Sequence, residues 1–427
     1  MGIVLALIVF SILILFHELG HFLLAKKNGI FVTEFSLGLG PRLISHKFGE
    51  TRYSIKLLPF GGSCAMLGED EDNADERAFN NKSVWARMSV IAAGPIFNFI
   101  LAFVAAVIVV GAIGYDPCII TSINEDSSLK NEDIKEGDII TEINGVKVDV
   151  GRQLYLEEYV NPYTKEDVKI KYIRDGKKYE ITVPTVEKYM LGIYYTAKEN
   201  EPASVSTISK NGAFAKAGAE KDDIITSVDG VAINNGKELM EYFEKHPLTG
   251  EEIEVTISRK GEEKNITVKP NITYTLGFTY NVNGRVEAKN VGEVLKYSFV
   301  ELQYGAESVF KSFQMLFTGK AGMDDISGPV GIVDLMDEAY SETKSEGWLI
   351  VIMNLLNYMI LFSVNLGILN LIPFPALDGG RLFFLLIEAI RRKPVSREKE
   401  GIVNFVGLMI LMIFMVYVMF NDIMKIF

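Results

Sequence analysis

The sequence predicts a polytopic α-helical membrane protein with four transmembrane helices and two α+β domains inserted between the second and third helices. Two observations carry this prediction. The first is a set of apolar segments, each long enough to cross a bilayer, at 2–25, 88–113, 348–372 and 402–420. The second is a duplication within the 114–347 segment. Hydrophobic residues make up 48% of the 427 residues, which fits a mixture of membrane and soluble parts.

The first apolar segment carries two of the four histidines of the chain, in His17-Glu18-Leu19-Gly20-His21. Positions i and i+4 project from one helix face, so His17 and His21 can bind one metal ion, with Glu18 beside the open coordination position as the base for water. Ionisable groups within a membrane helix are costly and usually functional. A chance motif or a structural zinc is the alternative. A signal peptide is not expected, because no basic n-region and no small-residue cleavage site flank the segment.

The loops between the first and second helices and between the third and fourth helices are rich in Lys and Arg. Such loops stay in the cytoplasm, which puts both termini and the 114–347 segment outside it. His17 then lies about 12 Å inside the cytoplasmic end of the first helix.

The net charge of −12 argues against nucleic-acid binding. The two cysteines, Cys64 and Cys118, flank the second apolar segment, so we expect them on opposite sides of the membrane. We therefore predict no disulfide framework and no cysteine metal site.

The duplication has an offset of 85 residues: 137–141 recurs as 222–226, and Leu191-Gly192-Ile193 recurs as Leu276-Gly277-Phe278. An offset of this size describes whole domains rather than short repeat units. We predict two domains, 114–195 and 196–282, joined by a short link at 196–205. Each has alternating strands, a helix and a hairpin turn, the turns being Asp175-Gly176 and Lys260-Gly261 and the helices 151–159 and 236–246.

A linker at 283–345 follows the second copy. Apolar residues recur every three or four positions over 291–316, which predicts a long amphipathic helix. Its apolar stripe fits the bilayer surface or the membrane helices, and we favour docking onto the protein's own helices.

A zinc enzyme needs a third protein ligand, and a carboxylate near the end of the third apolar segment stands out. Two prolines and two glycines break that segment around Asp378, within the 370–380 stretch. Irregular backbone at membrane depth occurs where it is buried in protein or lines a cavity. The remaining histidines, His46 and His246, fit ordinary surface positions better. The alternative for Asp378 is a helix cap that accepts from backbone N–H groups.

An HExxH motif in an N-terminal membrane helix together with a late Asn-x-x-Pro-x-Pro-x-Leu-Asp-Gly resembles the site-2 protease family of intramembrane zinc metalloproteases. The sequence is most similar to the bacterial regulator of sigma-E protease branch, which carries tandem PDZ domains. The resemblance runs nearly end to end, because further landmarks of that branch follow in its order at 38–43, 58–62, 93–98 and 327–332.

The resemblance implies that His17, His21 and Asp378 hold one Zn²⁺ per chain and that Glu18 is the general base. It also implies that Asn370 and a β loop at Gly61-Gly62 bind the substrate backbone, although Pro-Phe-Gly-Gly is also an ordinary hairpin turn. In the repeats, which resemble PDZ domains, the second Leu-Gly triplet is the better match to a carboxylate-binding loop, with Gly277 and Phe278 as substrate contacts. The pair would act as a peptide receptor or as a steric filter.

The implied activity is an intramembrane zinc endopeptidase in a bacterial cell (inner) membrane, with its active site towards the cytoplasm and its PDZ-like domains outside. Its partners would be membrane lipid, transmembrane substrates of the anti-sigma factor or leftover signal peptide type, and an upstream site-1 type protease that trims them first. One rival is a non-catalytic PDZ receptor with a vestigial zinc site, yet no ligand and no base is missing. The other is an ion transporter, for which the second and fourth helices offer little beyond Asn98 and Asn404.

Overall fold

The computed structural model describes residues 1–69, 71–282 and 284–426. Within those residues the α-helices are α1 (Gly2–Lys27), α2 (Val84–Ile113), α3 (Gly151–Val160), α4 (Ala213–Lys216), α5 (Gly236–Lys245), α6 (Val291–Phe317), α7 (Pro329–Thr343), α8 (Trp348–Leu371), α9 (Asp378–Arg391) and α10 (Arg397–Ile426). The β-strands are β1 (Val32–Phe48), β2 (Thr51–Met66), β3 (Ile120–Ile123), β4 (Ile139–Ile143), β5 (Val146–Lys147), β6 (Val168–Arg174), β7 (Lys177–Val183), β8 (Val186–Met190), β9 (Ile193–Tyr195), β10 (Val205–Ile208), β11 (Ile224–Val228), β12 (Val231–Ala232), β13 (Ile253–Arg259), β14 (Glu262–Val268), β15 (Asn271–Thr275) and β16 (Phe278–Tyr280).

The chain forms two compact units. The membrane unit comprises Met1–Asp116 and Asn283–Phe427, and the duplicated unit comprises Pro117–Val282. Among the described residues, α1, α2, α8 and α10 are the helices long and apolar enough to span a bilayer. The predicted class of four apolar helices with a β-rich region between the second and third is confirmed.

Helix α2 is the centre of the membrane unit, because α1, α6, α8 and α9 all pack against it. Its buried face carries small residues, among them Ala102, Ala105 and Ala106, which let neighbouring backbones approach closely. Met353, Ile360 and Val364 of α8 complete this core.

The amphipathic helix predicted over 291–316 is α6, and it docks on the protein's own helices as expected. Leu302 and Ala306 pack into the core formed by α2 and α8, and Gly305 lies against Val364. Phe310, one turn after Ala306, is exposed.

Helix α7, which the sequence did not predict, is tied to α1 and α10 through two aspartates. Asp337 of α7 accepts hydrogen bonds from the N-terminal amine and from the N–H of Gly2, the latter at 2.7 Å. Asp422, buried in α10, accepts from the N–H groups of Gly328 (2.9 Å) and Gly331 (2.8 Å) at the start of α7. The carboxylate thereby satisfies N–H groups that a helix start leaves without partners.

Strands β1 and β2 fold into a mixed sheet of four segments, in which the two outer pairings are antiparallel and the central pairing, 34–37 with 52–55, has a parallel register. Residues 42–48 pair with 51–56, and the first part of β1, 32–37, pairs on one side with 52–55 and on the other with 62–66. The order of segments is therefore 42–48, 51–56, 32–37, 62–66. In the described chain the 62–66 segment pairs on one side alone and forms an edge of the sheet.

The duplicated unit contains two four-stranded antiparallel sheets of equal design, β5-β4-β6-β7 and β12-β11-β13-β14. The hairpin turns are at the predicted places. Asp175 and Gly176 both have positive φ (49° and 76°), as do Lys260 and Gly261 (53° and 88°), which is the geometry of a type I′ turn.

The final strands of the two copies are exchanged, which corrects the predicted domain boundaries 114–195 and 196–282. Leu276, with Phe278 beside it, belongs to a core with residues 118–183, and β16 pairs with β3. Leu191 belongs to a core within 191–268, and β9 pairs with β10. We name 118–183 with 276–280 the outer module, and 191–268 the inner module.

The exchange also replaces the single link expected at 196–205. Two connections run between the modules, and they contain β8 and β15, which pair with each other over five residues each. Because both copies carry the same apolar pattern, hydrophobicity fits either pairing of the last strand. The pattern of the repeat therefore leaves the partner of that strand undecided.

Candidate metal centre

Helices α1 and α9 bring His17, His21 and Asp378 together. The Oδ2 atom of Asp378 lies 3.1 Å from Nε2 of His17 and 3.4 Å from Nε2 of His21. The two Nε2 atoms are 3.2 Å apart. Among the described residues these three form the group of side chains suited to hold a metal ion.

The spacing of these three atoms fits zinc. With bonds of about 2.0–2.1 Å, two ligand atoms of a tetrahedral zinc site are about 3.3 Å apart, and the observed separations of 3.1, 3.2 and 3.4 Å surround that value. Oδ2 of Asp378 is also buried without a hydrogen-bond partner, a costly situation that a bound cation relieves. Two imidazoles and one carboxylate are a common ligand set of catalytic zinc, and they leave a fourth position open.

The chain between α8 and α9 places Asp378. Ala376 has a positive φ of 75°, and a Cβ at Gly379 or Gly380 would collide with the carbonyl oxygens of Ile372 and Phe374, respectively. Glycines are therefore required for the tight return of the chain onto α9. Asp378 is the first residue of α9, and α9 has no side-chain cap, which contradicts the alternative in which Asp378 serves as a helix cap.

Each histidine ring also has a neighbour at its second nitrogen. Nδ1 of His21 lies 2.9 Å from the carbonyl oxygen of Val90, and Nδ1 of His17 lies 3.1 Å from Nδ2 of Asn98. Both neighbours are in α2. A Cβ at Gly94, on the same helix, would collide with the rings of both histidines, so this glycine lets α2 approach the metal ligands.

Glu18 lines a cavity of about 310 Å³ together with His17, His21 and Asp378. The edge segment of the β1–β2 sheet forms another wall, through Gly62, Ser63, Cys64, Ala65 and Met66. A Cβ at Gly62 would lie 2.9 Å from Cγ of Glu18 and 2.9 Å from Cγ2 of Ile14, so glycine allows the strand to lie against α1.

Charged side chains of the segment between α1 and α2 form ion pairs within the sheet and with α9. Arg381 of α9 is paired with Glu69, and both side chains reach the cavity. Within the sheet, the hydrogen bond from Arg42, with those from Ser54 and the charge of Lys56, lowers the pKa of Glu34 to about 2. This carboxylate therefore stays ionised in the physiological pH range.

The other predicted site residues lie elsewhere. Asn370 is in the last turn of α8 and is half-buried, and the residues described as lining the cavity do not include it. Gly61, with a φ of 88°, lies against Leu39 rather than at the cavity. Gly277 and Phe278 are in the duplicated unit, where Gly277 contacts Ser127 of the outer module.

Sequence reasoning missed the roles of Gly94 and Asn98. The signal was present, because a glycine and an asparagine one helical turn apart interrupt an apolar membrane helix. It also missed the Glu69–Arg381 pair, since nothing in the local sequence relates residues so far apart.

The chain is similar to known proteins over nearly its whole length. Residues 5–414 match the model of peptidase family M50. The regulator of sigma-W protease RasP of Bacillus subtilis (strain 168) is 32% identical over 452 residues, covering 99% of this chain and 98% of that protein. The zinc metalloprotease RasP of Geobacillus kaustophilus (strain HTA426) is 31% identical, covering 99% and 97%.

Among solved structures, the HtrA-type protease AlgW with decapeptide matches 36% of this chain and 55% of its own, at 16% identity and a TM-score of 0.18. The family match and the relatives both extend over nearly the whole chain, from the histidine motif to beyond Asp378. The chain therefore belongs to peptidase family M50, and it is a membrane zinc metalloprotease.

Proposed function

We propose that the protein performs regulated intramembrane proteolysis: it cuts single-span membrane proteins, already trimmed by an upstream protease, within or near the membrane. The observation that carries the proposal is the geometry of His17, His21 and Asp378, whose ligand atoms have the separations of a zinc site. These three residues lie beside Glu18 in a cavity that is lined in part by α1, an apolar helix long enough to span the bilayer.

One zinc ion per chain, held by His17, His21 and Asp378, would supply a Lewis acid that polarises the scissile carbonyl and acidifies water. Glu18 is the carboxylate left in the cavity for proton transfer. It takes the proton of the attacking water and passes it to the departing amide nitrogen. Glu69 is less suited to that task, because it is engaged by Arg381.

The edge segment 62–66 supports a role in substrate binding. A helical substrate shields its own carbonyl groups, so the segment to be cut must first unwind. An unwound strand can pair with the free side of the edge segment, whose residues line the cavity. Gly62 lets this segment lie directly against α1 beside Glu18. Asn370, implied by the resemblance, would bind substrate only if substrate extends beyond the cavity to the end of α8.

The PDZ-like modules suit a steric filter better than a peptide receptor. The strand exchange joins them through two connections that pair with each other, which leaves little freedom to hand a bound peptide end to another site. We propose that they lie outside the cytoplasm, where they admit trimmed stubs and exclude folded ectodomains. The name of the Bacillus subtilis relative, a regulator of sigma-W protease, favours membrane-bound regulators of transcription as substrates.

The proposal is tested with the purified full-length protein in detergent or liposomes. We expect one zinc per chain, and cleavage of a single-span substrate that a chelator stops and added zinc restores. Zinc without cleavage of any trimmed membrane substrate would favour the receptor. Transport of metal across liposomes without cleavage would favour the transporter.

A further inference from the structure

Asn98 of α2 is a fully buried amide in contact with a metal-binding histidine. Its side chain has 0% exposure, and its Nδ2 atom lies 3.1 Å from Nδ1 of His17. Its Oδ1 atom is buried without a hydrogen-bond partner. The backbone carbonyl of Asn98 accepts a hydrogen bond from the hydroxyl of Ser363 at 2.7 Å, which anchors this turn of α2 to α8.

The imidazole of His17 and the amide of Asn98 can form a hydrogen bond only when one atom donates and the other accepts. A neutral imidazole has one protonated nitrogen and one nitrogen with a free lone pair. When Nε2 of His17 binds a metal, the proton must be on Nδ1, which then needs an acceptor. The amide nitrogen of Asn98 cannot accept, whereas Oδ1 can. A half-turn about the last side-chain bond of Asn98 exchanges the two atoms without moving the backbone.

We infer that Asn98 is a positioning residue that selects the metal-binding tautomer of His17. In the metal-bound protein Oδ1 of Asn98 accepts the Nδ1 proton of His17, which leaves the Nε2 lone pair directed at the metal. The orientation in the structure, with Nδ2 of Asn98 3.1 Å from Nδ1 of His17, fits the other tautomer, in which Nδ2 donates to Nδ1 and the proton of His17 is on Nε2. We expect that tautomer when no metal is bound. The inference rests on the proposed role of His17 as a zinc ligand.

The two histidines differ in this respect. His21 has a backbone carbonyl, that of Val90, at its Nδ1, and a carbonyl oxygen can only accept. Its tautomer is therefore the same with and without metal. For His17 the partner is a side chain that accepts through one atom and donates through another, so mutation of Asn98 addresses His17 alone.

The test measures zinc and cobalt affinity of the full-length protein by competition with a chelator. Asn98→Leu removes both hydrogen-bonding atoms and keeps the branching and the number of side-chain heavy atoms, and we expect metal affinity to fall about 10–100-fold. Asn98→Asp retains an acceptor but cannot donate, and we expect affinity within a few-fold of the original protein. The matched control is Asn354→Leu, which removes a membrane-helix amide whose Nδ2 has only a 3.4 Å contact, and should not change affinity.

Equal affinity of the original protein and a folded Asn98→Leu variant would overturn the inference. So would an Asn98→Asp variant that is folded yet as weak as Asn98→Leu, because donation would then be the function of the amide. If the original protein itself binds no zinc, the proposed function fails rather than this inference alone.

A second measurement does not depend on the folding of any variant. In ¹⁵N-histidine NMR of the original protein, the proton of His17 should move from Nε2 to Nδ1 when zinc is added, while His21 keeps its proton on Nδ1. An Nδ1 of His17 without a proton in the zinc-loaded protein would contradict the inference.

Discussion

The membrane unit and the duplicated unit assemble their important residues in different ways. The metal centre combines one helix near the start of the chain with another near its end, and no part of it is repeated. The duplicated unit uses one design twice, down to equivalent ion pairs: Arg174 with Asp138, and Arg259 with Asp223. Even so, its last strands are exchanged between the copies.

The difference shows when a sequence pattern can specify which residues or strands become partners in the fold. In the membrane unit, ionisable residues in an apolar setting are few, so chemistry alone relates Asp378 to His17 and His21. In the duplicated unit the last strand of each copy has two equivalent partners, one in each copy. The apolar pattern of the sequence fits both pairings. A unique chemical group fixes its partner at any sequence distance, whereas a repeated pattern does not.

The largest expected effect tests the long-range pairing of the membrane unit. Asp378→Asn should lose zinc and activity together, with affinity lowered by about 100-fold or more, since an amide is a much poorer zinc ligand than a carboxylate. Zinc content and cleavage rate are measured on the same preparation. Asp422→Asn is the control, because Asp422 is also buried but binds backbone N–H groups, and it should retain zinc. Stoichiometric zinc in Asp378→Asn would mean that the third ligand is another residue.

The next effect concerns the duplicated unit as a filter. Tyr115 and Val286 are bridged by two backbone hydrogen bonds in the membrane unit, so a short Gly/Ser linker can replace 118–280. We expect this deletion to permit cleavage of a substrate that keeps its folded ectodomain, while the trimmed stub is cut about as before. Slow cleavage of the stub, with the intact substrate still resistant, would instead indicate a receptor.

Cross-linking tests the strand exchange and should leave activity on the stub equal to that of the cysteine-free protein. With Cys64 and Cys118 replaced by alanine, the pair Ile123→Cys and Phe278→Cys should form a disulfide, because these residues face each other between β3 and β16. The pair Ile123→Cys and Ile193→Cys should not. The opposite result would restore the boundaries expected from the repeat.

The smallest effect concerns the equivalence of the two copies. Burial raises the pKa of Asp223, but the hydrogen bonds from Arg259 outweigh this and keep the pKa below its ordinary value. The pair therefore stabilises the fold above about pH 4, the ordinary Asp pKa, and this stability is lost as the pH falls through the lowered pKa. Arg259→Leu should lower the Tm by a few degrees at pH 7 and by less at pH 3. Arg174→Leu should have a similar effect at pH 7, and a Tm change confined to one copy would contradict their equivalence.

Much of the fold follows from the sequence where one signal dominates. Apolar length predicted α1, α2, α8 and α10, and the repeat predicted α3, α5 and the hairpin strands within a few residues. Helices α7 and α9 were missed because their apolar stretches are short. They are not long enough to cross a bilayer, and their amphipathic pattern does not extend over many turns. The second pairing between β1 and β2, in which 62–66 pairs with 32–37, was missed. Two consecutive strands of this length predict a simple hairpin.

The candidate site was predictable as far as its chemistry is unusual. Two histidines at helical spacing and a carboxylate in a broken apolar segment predicted a metal-binding group, and the structure brings these three side chains together. Gly62 followed from a resemblance rather than from physical reasoning, and Asn98 stood out only as a polar residue in an apolar helix. Its role depends on which nitrogen of His17 it contacts, and that contact is a property of how α1 packs against α2.

The most direct test of the central claim is the behaviour of Glu18→Gln. Glu18 lines the cavity but is not part of the group that binds the metal, so this variant should hold as much zinc as the original protein. Because an amide cannot take the proton of water, we expect cleavage of a trimmed single-span substrate to fall about 10²–10⁴-fold or more. Normal cleavage with normal zinc content would remove Glu18 from the mechanism and contradict the account.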